Sequence, residues 1–350
     1  MIYLVFPTSW HPSQPYLSLP SLKAFLNMHG VHDVVQRDLA IELLNDLCTW
    51  EKTKPLYERI IRELNELSSR PRLTQVEAEK FNKLREAEEI VMALKDQIDS
   101  AVASQRSQEF YDLDQYMENL KIMDVWLDNI LAPYYPSQLT VIGSQMRFSP
   151  YSSQEVIDSF NHPEENFFYD LYQQWYLPEI LQEDIDILGI SITSVEQIIS
   201  GLTLAYLVKQ NRPEIHIIIG GSVFTKLVDR LENDGSPLFD FVDSFIVHEG
   251  ETPLLRLVEH LRGDGDLSKV PNLIYKQDGK VKVNRPFAKE ELNALPTPDF
   301  DGLPLDLYLA PDRVLPVMGS RGCYWEKCAF CSIPFDHMEF HVRYAENVVN

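Results

Sequence analysis

The first forty residues combine short apolar runs with one stretch of helical spacing. Residues 1–6 form an apolar run that predicts a buried parallel strand. After a proline-rich turn, a helix is predicted over about 21–29, and Gly30 suits its C-terminal cap. Residues 31–37 predict a second strand. The chain therefore opens with a strand–helix–strand unit, which is the repeating unit of a parallel sheet.

The same alternation of predicted strands and helices occurs in the second half of the chain. Apolar runs over 185–193, 215–219 and 241–247 are each followed by a stretch of helical spacing. Strands that alternate with helices predict an α/β fold with a Rossmann-like, doubly wound parallel sheet. Residues 274–283 predict a small hairpin with a glycine in its turn. We therefore expect one α/β domain over residues 1–285.

A large helical insertion interrupts this domain over about 40–180. Apolar residues recur at spacings of three and four along 84–98, and a breaker at 68–71 precedes them. The pattern predicts an αα-hairpin followed by further helix to about residue 130. We interpret the insertion as a cover over one face of the domain. The alternative is a coiled segment that dimerises or binds a partner.

The chain changes character again after the predicted hairpin. Residues 286–313 are rich in proline and carry few periodic apolar positions, which predicts a linker. Residues 314–318 predict a new strand. We therefore expect 314–350 to be the start of a second domain.

Composition and charge narrow the set of functions. The 350 residues include 31 Lys and Arg against 53 Asp and Glu, a formal net charge of −22. Nucleic-acid affinity comes largely from basic side chains that neutralise phosphates, so we expect no nucleic-acid partner. No apolar run approaches the roughly 18 residues of a membrane span, and none is expected. Four cysteines, unevenly placed, argue against a disulfide framework and indicate a cytoplasmic location.

Three of the four cysteines lie together near the C-terminus. Cys323, Cys328 and Cys331 have the spacing CxxxxCxxC. Thiolates at such spacing can hold an iron–sulfur cluster, because the soft sulfur ligand suits iron and sulfide. His337 and His341 follow, so a structural Cys₃His zinc site also agrees with the spacing. Spacing alone favours the cluster and leaves zinc and unliganded thiols open.

The segment RGCYWEKCAFC, from Arg321 to Cys331, follows a Rossmann-like domain and a proline-rich linker. This arrangement resembles the radical S-adenosylmethionine (SAM) enzymes that carry an N-terminal cobalamin-binding domain. The resemblance covers about 1–38 and 184–335, and the helical insertion lies outside it. Members commonly space these cysteines CxxxCxxC, so this sequence carries one extra residue between the first two. The aromatic Phe330 before the last cysteine fits the family.

The resemblance implies a set of cofactors and a reaction type. Cys323, Cys328 and Cys331 would ligate a [4Fe-4S] cluster, and SAM would bind its open iron. A one-electron reductant of the flavodoxin or ferredoxin type would drive cleavage of SAM to a 5′-deoxyadenosyl radical. The implied reaction is methyl transfer or rearrangement on a small-molecule or peptide substrate. The alternative function is a non-catalytic, ligand-binding Rossmann module whose Cys₃His motif holds structural zinc.

Two of the three short motifs of the family's cobalamin-binding domains have counterparts here. Ser191-Ile192-Thr193 fits the second motif, and Gly220-Gly221 follows after 26 residues as the third. Glu249-Gly250 resembles the family's turn after the next strand. Both fitted motifs sit where parallel strands end, which is where open α/β sheets bind ligands. The expected cofactor contacts are therefore Ser191, Thr193, Gly220, Gly221, Glu249 and Gly250.

The first motif of these domains, DxHxxG, has no counterpart in the sequence. Residues 36–40 read QRDLA, with no histidine two residues after Asp38. We therefore expect no axial histidine from this loop. Cobalamin remains a candidate cofactor, and the alternative is a Rossmann domain that binds nothing.

The number of residues after the cysteines sets a further expectation. A radical SAM barrel needs about 200 residues beyond its cysteine loop, whereas 19 follow Cys331 here. We therefore expect residues 314–350 to be the start of a radical SAM (β/α) barrel with its cluster loop. The chain would then be the N-terminal part of such an enzyme and inactive alone.

Overall fold

The structure is a computed structural model that describes residues 1–233, 237–333 and 339–349. In these ranges the strands, in chain order, are β1 (Ile2–Phe6), β2 (Val34–Asp38), β3 (Gln138–Leu139), β4 (Ser144–Gln145), β5 (Ile187–Ser191), β6 (His216–Gly220), β7 (Ser244–Ile246), β8 (Leu273–Gln277), β9 (Lys280–Val283), β10 (Ser320–Arg321) and β11 (His341–Val342). The α-helices are α1 (Ser18–Met28), α2 (Leu39–Leu47), α3 (Trp50–Ser68), α4 (Gln75–Leu94), α5 (Ile98–Gln105), α6 (Leu113–Ile130), α7 (Ser153–Phe160), α8 (Phe167–Leu171), α9 (Leu177–Ile180), α10 (Gln197–Asn211), α11 (Ser222–Thr225), α12 (Val228–Asn233), α13 (Glu251–Leu261) and α14 (Ala345–Val349).

A seven-stranded sheet in the order β2-β1-β5-β6-β7-β8-β9 organises the chain. The first five strands in this order are parallel, and β8 and β9 extend the sheet antiparallel. From β1 the chain moves outward to β2, whereas from β5 it moves the opposite way through β6 to β7. The strand order therefore reverses between β1 and β5, and a crevice opens there at their carboxyl ends. The predicted α/β class is confirmed, with a sheet that is largely rather than wholly parallel.

Helices cover both faces of this sheet, which explains why its central strands read as continuous apolar runs. Every residue of β1 and β5 is buried. Helices α1 and α13 pack on one face, and α2, α10 and the helical insertion pack on the other. At Gly189 a β-carbon would come within 2.8 Å of Leu4 Cδ2, so this glycine permits close contact between β5 and β1.

The antiparallel extension follows from a tight turn. Asp278 and Gly279 connect β8 to β9, with φ of 51° and 75°. Two successive residues at positive φ match the right-handed twist of a hairpin, and an Asp-Gly pair favours that turn. The hairpin predicted over 274–283 is present, and it completes the main sheet instead of standing apart.

The helical insertion forms a layer over the sheet. Helices α3 and α4 pack as the predicted αα-hairpin, and Thr74 begins α4 with a capping box to Glu77. The seam residues Leu84, Ala87 and Val91 are each fully buried within this chain. They belong to the same hydrophobic core as the sheet residues Tyr3 and Val5. This packing favours the covering interpretation over a seam that awaits a partner.

The proline-rich segment lies across the end of the domain and is tied to it at several points. The Tyr308 hydroxyl donates to Asp38 Oδ2 at 2.7 Å, at the end of β2. Asn45 on α2 donates to the Leu307 carbonyl at 3.0 Å, and Arg106 donates to the Tyr308 carbonyl at 3.3 Å. Both the α/β domain and the insertion therefore hold this segment in place.

The strand predicted over 314–318 is not formed, and this prediction was wrong. A strand requires a hydrogen-bonded neighbour, and no described segment pairs with these residues. Val314, Leu315 and Val317 are correspondingly exposed, with Val317 at 68%. The first strand beyond the proline-rich segment is the two-residue β10, which pairs antiparallel with β11.

Candidate functional site

A cavity of about 530 Å³ opens at the carboxyl ends of β1, β5, β6 and β7, where the strand order reverses. Ligand pockets typically measure roughly 300–1,000 Å³. All six predicted cofactor contacts line this cavity: Ser191, Thr193, Gly220, Gly221, Glu249 and Gly250. They come from three separate turns, which meet because parallel strands end at one edge of the sheet. Their contact with a cofactor stays a prediction.

The two hydroxyl residues at the carboxyl end of β5 have different roles in the wall. Ser191 Oγ donates to Ser18 Oγ on α1 at 2.9 Å. The Thr193 N–H and hydroxyl both donate to Gln197 Oε1, at 2.9 and 3.1 Å. Gln197 in turn donates to the Pro7 carbonyl at 2.8 Å, which joins the loop after β5 to the loop after β1. Ser191 presents a hydroxyl at the wall, whereas Thr193 mainly shapes the loop.

The two glycines at the carboxyl end of β6 also serve different purposes. A β-carbon at Gly220 would meet only the Ile246 carbonyl, at 3.8 Å, so the space beside this residue is open. At Gly221 φ is +107° and a β-carbon would lie 2.1 Å from the Ile192 carbonyl oxygen. Only glycine fits the second position, because both the φ angle and the neighbouring backbone exclude a side chain. Gly220 leaves room in the cavity, and Gly221 allows the loops after β5 and β6 to touch.

An aromatic cluster forms the wall on the β1 side, and sequence reasoning missed it. Phe6 ends β1 and stacks on Tyr16 with ring centroids 5.0 Å apart. Trp10 meets Tyr16 edge to face at 4.8 Å, and both rings line the cavity. The sequence signal that could have identified Trp10 and Tyr16 was their position, four and ten residues after the end of the predicted parallel strand β1. Such rings supply a large apolar contact area for a ligand.

Two buried glutamates after β7 bind the segment that leads to the cysteines. Arg321 Nη1 lies 3.2 Å from Glu249 Oε2, and its Nη2 donates to Glu251 Oε1. His341 Nε2 lies 2.9 Å from Glu249 Oε1, within ion-pair distance but without hydrogen-bond geometry. Glu251 is the first residue of α13, and it also faces Arg321. Arg321 was not among the predicted site residues, although it lines the same cavity.

The electrostatics of this cluster follow from burial and from the excess of carboxylates. Burial lowers the pKa of the Arg321 guanidinium, but the carboxylates of Glu251 and Glu249 outweigh burial and raise it overall. Burial raises the pKa of Glu290, with the nearby charges of Glu251 and Glu249 acting in the same direction. Glu290 accepts hydrogen bonds from the Thr252 N–H and hydroxyl at 2.7 and 2.8 Å, at the start of α13. Arg321 therefore remains a cation that offsets buried negative charge.

The cysteine loop leaves this cluster and lies at the surface. Cys323 and Cys331 are partly buried, and Cys328 is exposed. Within the described ranges, no three Cys, His, Asp or Glu side chains converge closely enough to hold a metal ion. Thiolates are nevertheless the donors that an iron–sulfur cluster requires. The ligation predicted for Cys323, Cys328 and Cys331 therefore rests on the chemistry of the donors.

The structure describes one of the two histidines of the alternative zinc site. His337 lies outside the described residues. His341 is described, and its Nε2 faces Glu249 as given above. Zinc ligation through that nitrogen would require His341 to leave the carboxylate.

Asp38, at the position where the missing first motif would lie, has a structural role. Asp38 Oδ1 accepts hydrogen bonds from the Ala40 and Ile41 N–H groups at 3.0 and 3.2 Å, and so caps α2. Its other oxygen accepts from Tyr308. Burial raises the pKa of Asp38 to about 6, although these hydrogen bonds act in the opposite direction.

A histidine from another loop lines the cavity. His248 follows β7, and its ring lies 4.5 Å from that of Phe287.

No protein-family model matches the chain. An uncharacterized methyltransferase of Pyrococcus horikoshii is 32% identical over 153 residues, which are 43% of this chain and 32% of that protein. The chain thus spans about a third of the length of this curated relative. Among the described helices, none is long and apolar enough to cross a membrane.

Solved structures with similar folds include two radical SAM enzymes. The methyltransferase TsrM from Kitasatospora setae, solved with cobalamin and a [4Fe-4S] cluster, aligns with a TM-score of 0.46 and 11% identity. That alignment covers 99% of this chain and 45% of TsrM. The cobalamin-dependent SAM radical enzyme OxsB, with aqua-cobalamin, aligns with a TM-score of 0.41 and 21% identity over 50% of this chain and 24% of its own. Over 153 residues the chain is thus similar in sequence to an uncharacterized methyltransferase, and the two solved structures are radical SAM enzymes with bound cobalamin.

Proposed function

We propose that this chain is the cobalamin-binding and cluster-bearing part of a radical SAM enzyme that transfers a methyl group. The observation that carries the proposal is that two groups of residues line the same cavity. The residues predicted to contact cobalamin and the residues that lead into the cysteine loop, Ser320 to Gly322, line one cavity. A cofactor in that cavity would lie next to the loop that carries the three thiolates.

The residues of the cavity suit the nucleotide tail of a corrinoid. Ser191 offers a hydroxyl, Gly220 leaves open space, and Gly221 brings two loops together without a side chain between them. Trp10 and Tyr16, whose rings meet edge to face, supply aromatic apolar surface to the wall. When bound, cobalamin would supply a methyl carrier and the cluster with SAM would supply radical chemistry, both of which belong to the cofactors. The protein binds and orients these groups.

The cysteine loop suits a cluster with one open iron. Cys323, Cys328 and Cys331 give three sulfur ligands, and the second of them is exposed. Cys48 is different, because it is buried in the core and burial raises the pKa of its thiol. We propose a small-molecule or peptide substrate and a flavodoxin- or ferredoxin-type reductant, since a radical SAM reaction requires an electron donor.

Anaerobic reconstitution with iron and sulfide tests the proposal directly. We expect about four iron atoms per chain and a broad visible absorbance, both lost in Cys328→Ala. Cys48→Ala is the matched control and should keep both. Stoichiometric zinc with no iron uptake would contradict the cluster and support the alternative of a structural Cys₃His site.

A titration with hydroxocobalamin tests the other half of the proposal. We expect saturable binding with a change in the corrin spectrum and an increase in the melting temperature of the domain. Absence of both effects in a folded protein would favour a Rossmann domain without a cofactor.

A further inference from the structure

The two ends of the cysteine loop meet in a short antiparallel pair. β10 lies before Cys323, and β11 lies after the last cysteine of the loop. In this pair Arg321 stands opposite His341. The loop therefore starts and ends at one place, and whatever fixes this pair also fixes the base of the loop.

Both members of the cross-strand pair face the glutamates after β7. Arg321 Nη1 lies 3.2 Å from an oxygen of each glutamate, and His341 Nε2 lies 2.9 Å from Glu249. The side chains of Arg321, Glu249 and Glu251 are only 11%, 5% and 4% exposed. Ion pairs at this depth are poorly screened by solvent, and removal of one partner leaves an uncompensated buried charge.

The glutamates are themselves held by the α/β domain. Asn272 donates to the Glu249 carbonyl at 3.0 Å, and the Glu290 N–H donates to the Glu249 carboxylate. Glu251 is the first residue of α13. The carboxylates thus stand on the carboxyl edge of the sheet, at the cavity that they line.

The contact is specific for a guanidinium. Arg321 reaches two carboxylates at once from a planar fork, whereas a lysine ammonium is a compact point charge. Close packing adds to this contact, because a β-carbon at Gly322 would lie 2.9 Å from the Glu339 carbonyl oxygen. The two sides of the loop base therefore pack closely against each other.

We propose that Arg321 is a positioning residue, which uses Glu249 and Glu251 to hold the base of the cysteine loop at the mouth of the cavity. His341 supports the same contact from the opposite strand. The effect on a cluster rests on the proposed function, whereas the anchoring of the loop does not. The anchor places the sulfur ligands and the cavity in a fixed relation, which two cofactors acting on one another require.

Hydrogen–deuterium exchange and cluster assembly test this inference in the full chain. Arg321→Met removes the charge, Arg321→Lys keeps it without the fork, and Glu251→Gln removes one carboxylate at constant volume. Arg313→Met is the matched control, because Arg313 pairs with Asp306 at the surface, where the side chains are 64% and 85% exposed. The readouts are exchange of the β10 and β11 amides, iron content after reconstitution, and the electron paramagnetic resonance spectrum of the reduced cluster.

We expect exchange in β10 and β11 to rise by about ten-fold or more in Arg321→Met, with peptides of β5 and β6 unchanged. Iron content should fall and the spectrum should change in the same variant, with partial recovery in Arg321→Lys and no effect in Arg313→Met. Glu251→Gln should give an intermediate loss, which supports the inference if Arg321→Met does not fold.

The failures of the two proposals are distinguishable. Normal exchange and a normal spectrum in Arg321→Met and Glu251→Gln would overturn the positioning role. If the unmodified protein takes up no iron, the proposed function fails, and the exchange measurements alone decide whether Arg321 anchors the loop.

Discussion

The Tyr308 hydroxyl donates a hydrogen bond of 2.7 Å to Asp38 Oδ2, which fastens the proline-rich segment to the end of β2. Both residues are buried, and 269 residues of chain lie between them. The other Asp38 oxygen caps α2. One carboxylate therefore joins the sheet, the first helix of the insertion and the segment that leads to the cysteine loop.

Tyr308→Phe should destabilise the protein by about 1–3 kcal/mol, because a buried carboxylate oxygen then lacks its donor. Urea unfolding followed by circular dichroism measures the free energy of unfolding. Tyr111→Phe is the control, since the Tyr111 hydroxyl donates to Asp312 from a residue that is 63% exposed. Equal effects of the two substitutions would contradict the importance of the buried bond.

Asp38→Asn should change how stability depends on pH. Burial raises the pKa of Asp38 to about 6, from an ordinary value of 3.8. Between these values the folded protein retains a proton that the unfolded chain releases, so stability falls as pH rises through this window. Ionisation of this buried carboxyl lowers the free energy of unfolding by an amount on the order of 2–3 kcal/mol, and this loss is complete above the folded pKa.

Asparagine keeps an oxygen to cap α2 and does not titrate. The stability of Asp38→Asn relative to the unmodified protein should therefore increase from about pH 4 to about pH 7. Urea unfolding at several pH values measures this difference, with the exposed Asp306→Asn as control. A stability difference independent of pH would show that Asp38 has the same pKa in both states.

Gly220→Val should weaken hydroxocobalamin binding by roughly ten-fold or more, equal to about 1.4 kcal/mol, because the side chain enters open space in the cavity. Spectral titration gives the dissociation constant. Gly143→Val is the control, since a β-carbon there meets only Thr140 Oγ1, at 3.8 Å, and Gly143 does not line the cavity. Unchanged affinity in Gly220→Val would place the cofactor elsewhere.

Ala87→Leu should destabilise the protein by about 1–3 kcal/mol, because three more carbons must fit into a fully buried seam between helices. Ala93→Leu on the exposed side of the same helix should change stability by less than about 0.5 kcal/mol. Thermal unfolding measures both. A stabilised or dimeric Ala87→Leu would revive the hypothesis that the seam binds a partner.

The elements of this fold were predictable because their signals are local. The apolar runs of β1, β5 and β6 and the three–four spacing of α4 depend on neighbours within one strand or helix. Gly220 and Gly221 were predictable as wall residues, since they lie at the carboxyl end of a strand that must end at one edge of the sheet. The prediction at 314–318 was wrong for a related reason, because an apolar run states a preference for strand but does not supply the paired neighbour.

The sequence by itself determined the strand–helix order, the buried seam of the insertion and the spacing of the three cysteines, all of which are set by short-range periodicity. Tertiary structure alone decided that Trp10 and Tyr16 face the same cavity as Gly220, that Tyr308 reaches Asp38, and that Arg321 meets Glu249 and Glu251. These contacts join residues that are 70 to 270 positions or so apart. Burial gives them their strength, and burial is a property of the packed chain that no local pattern encodes.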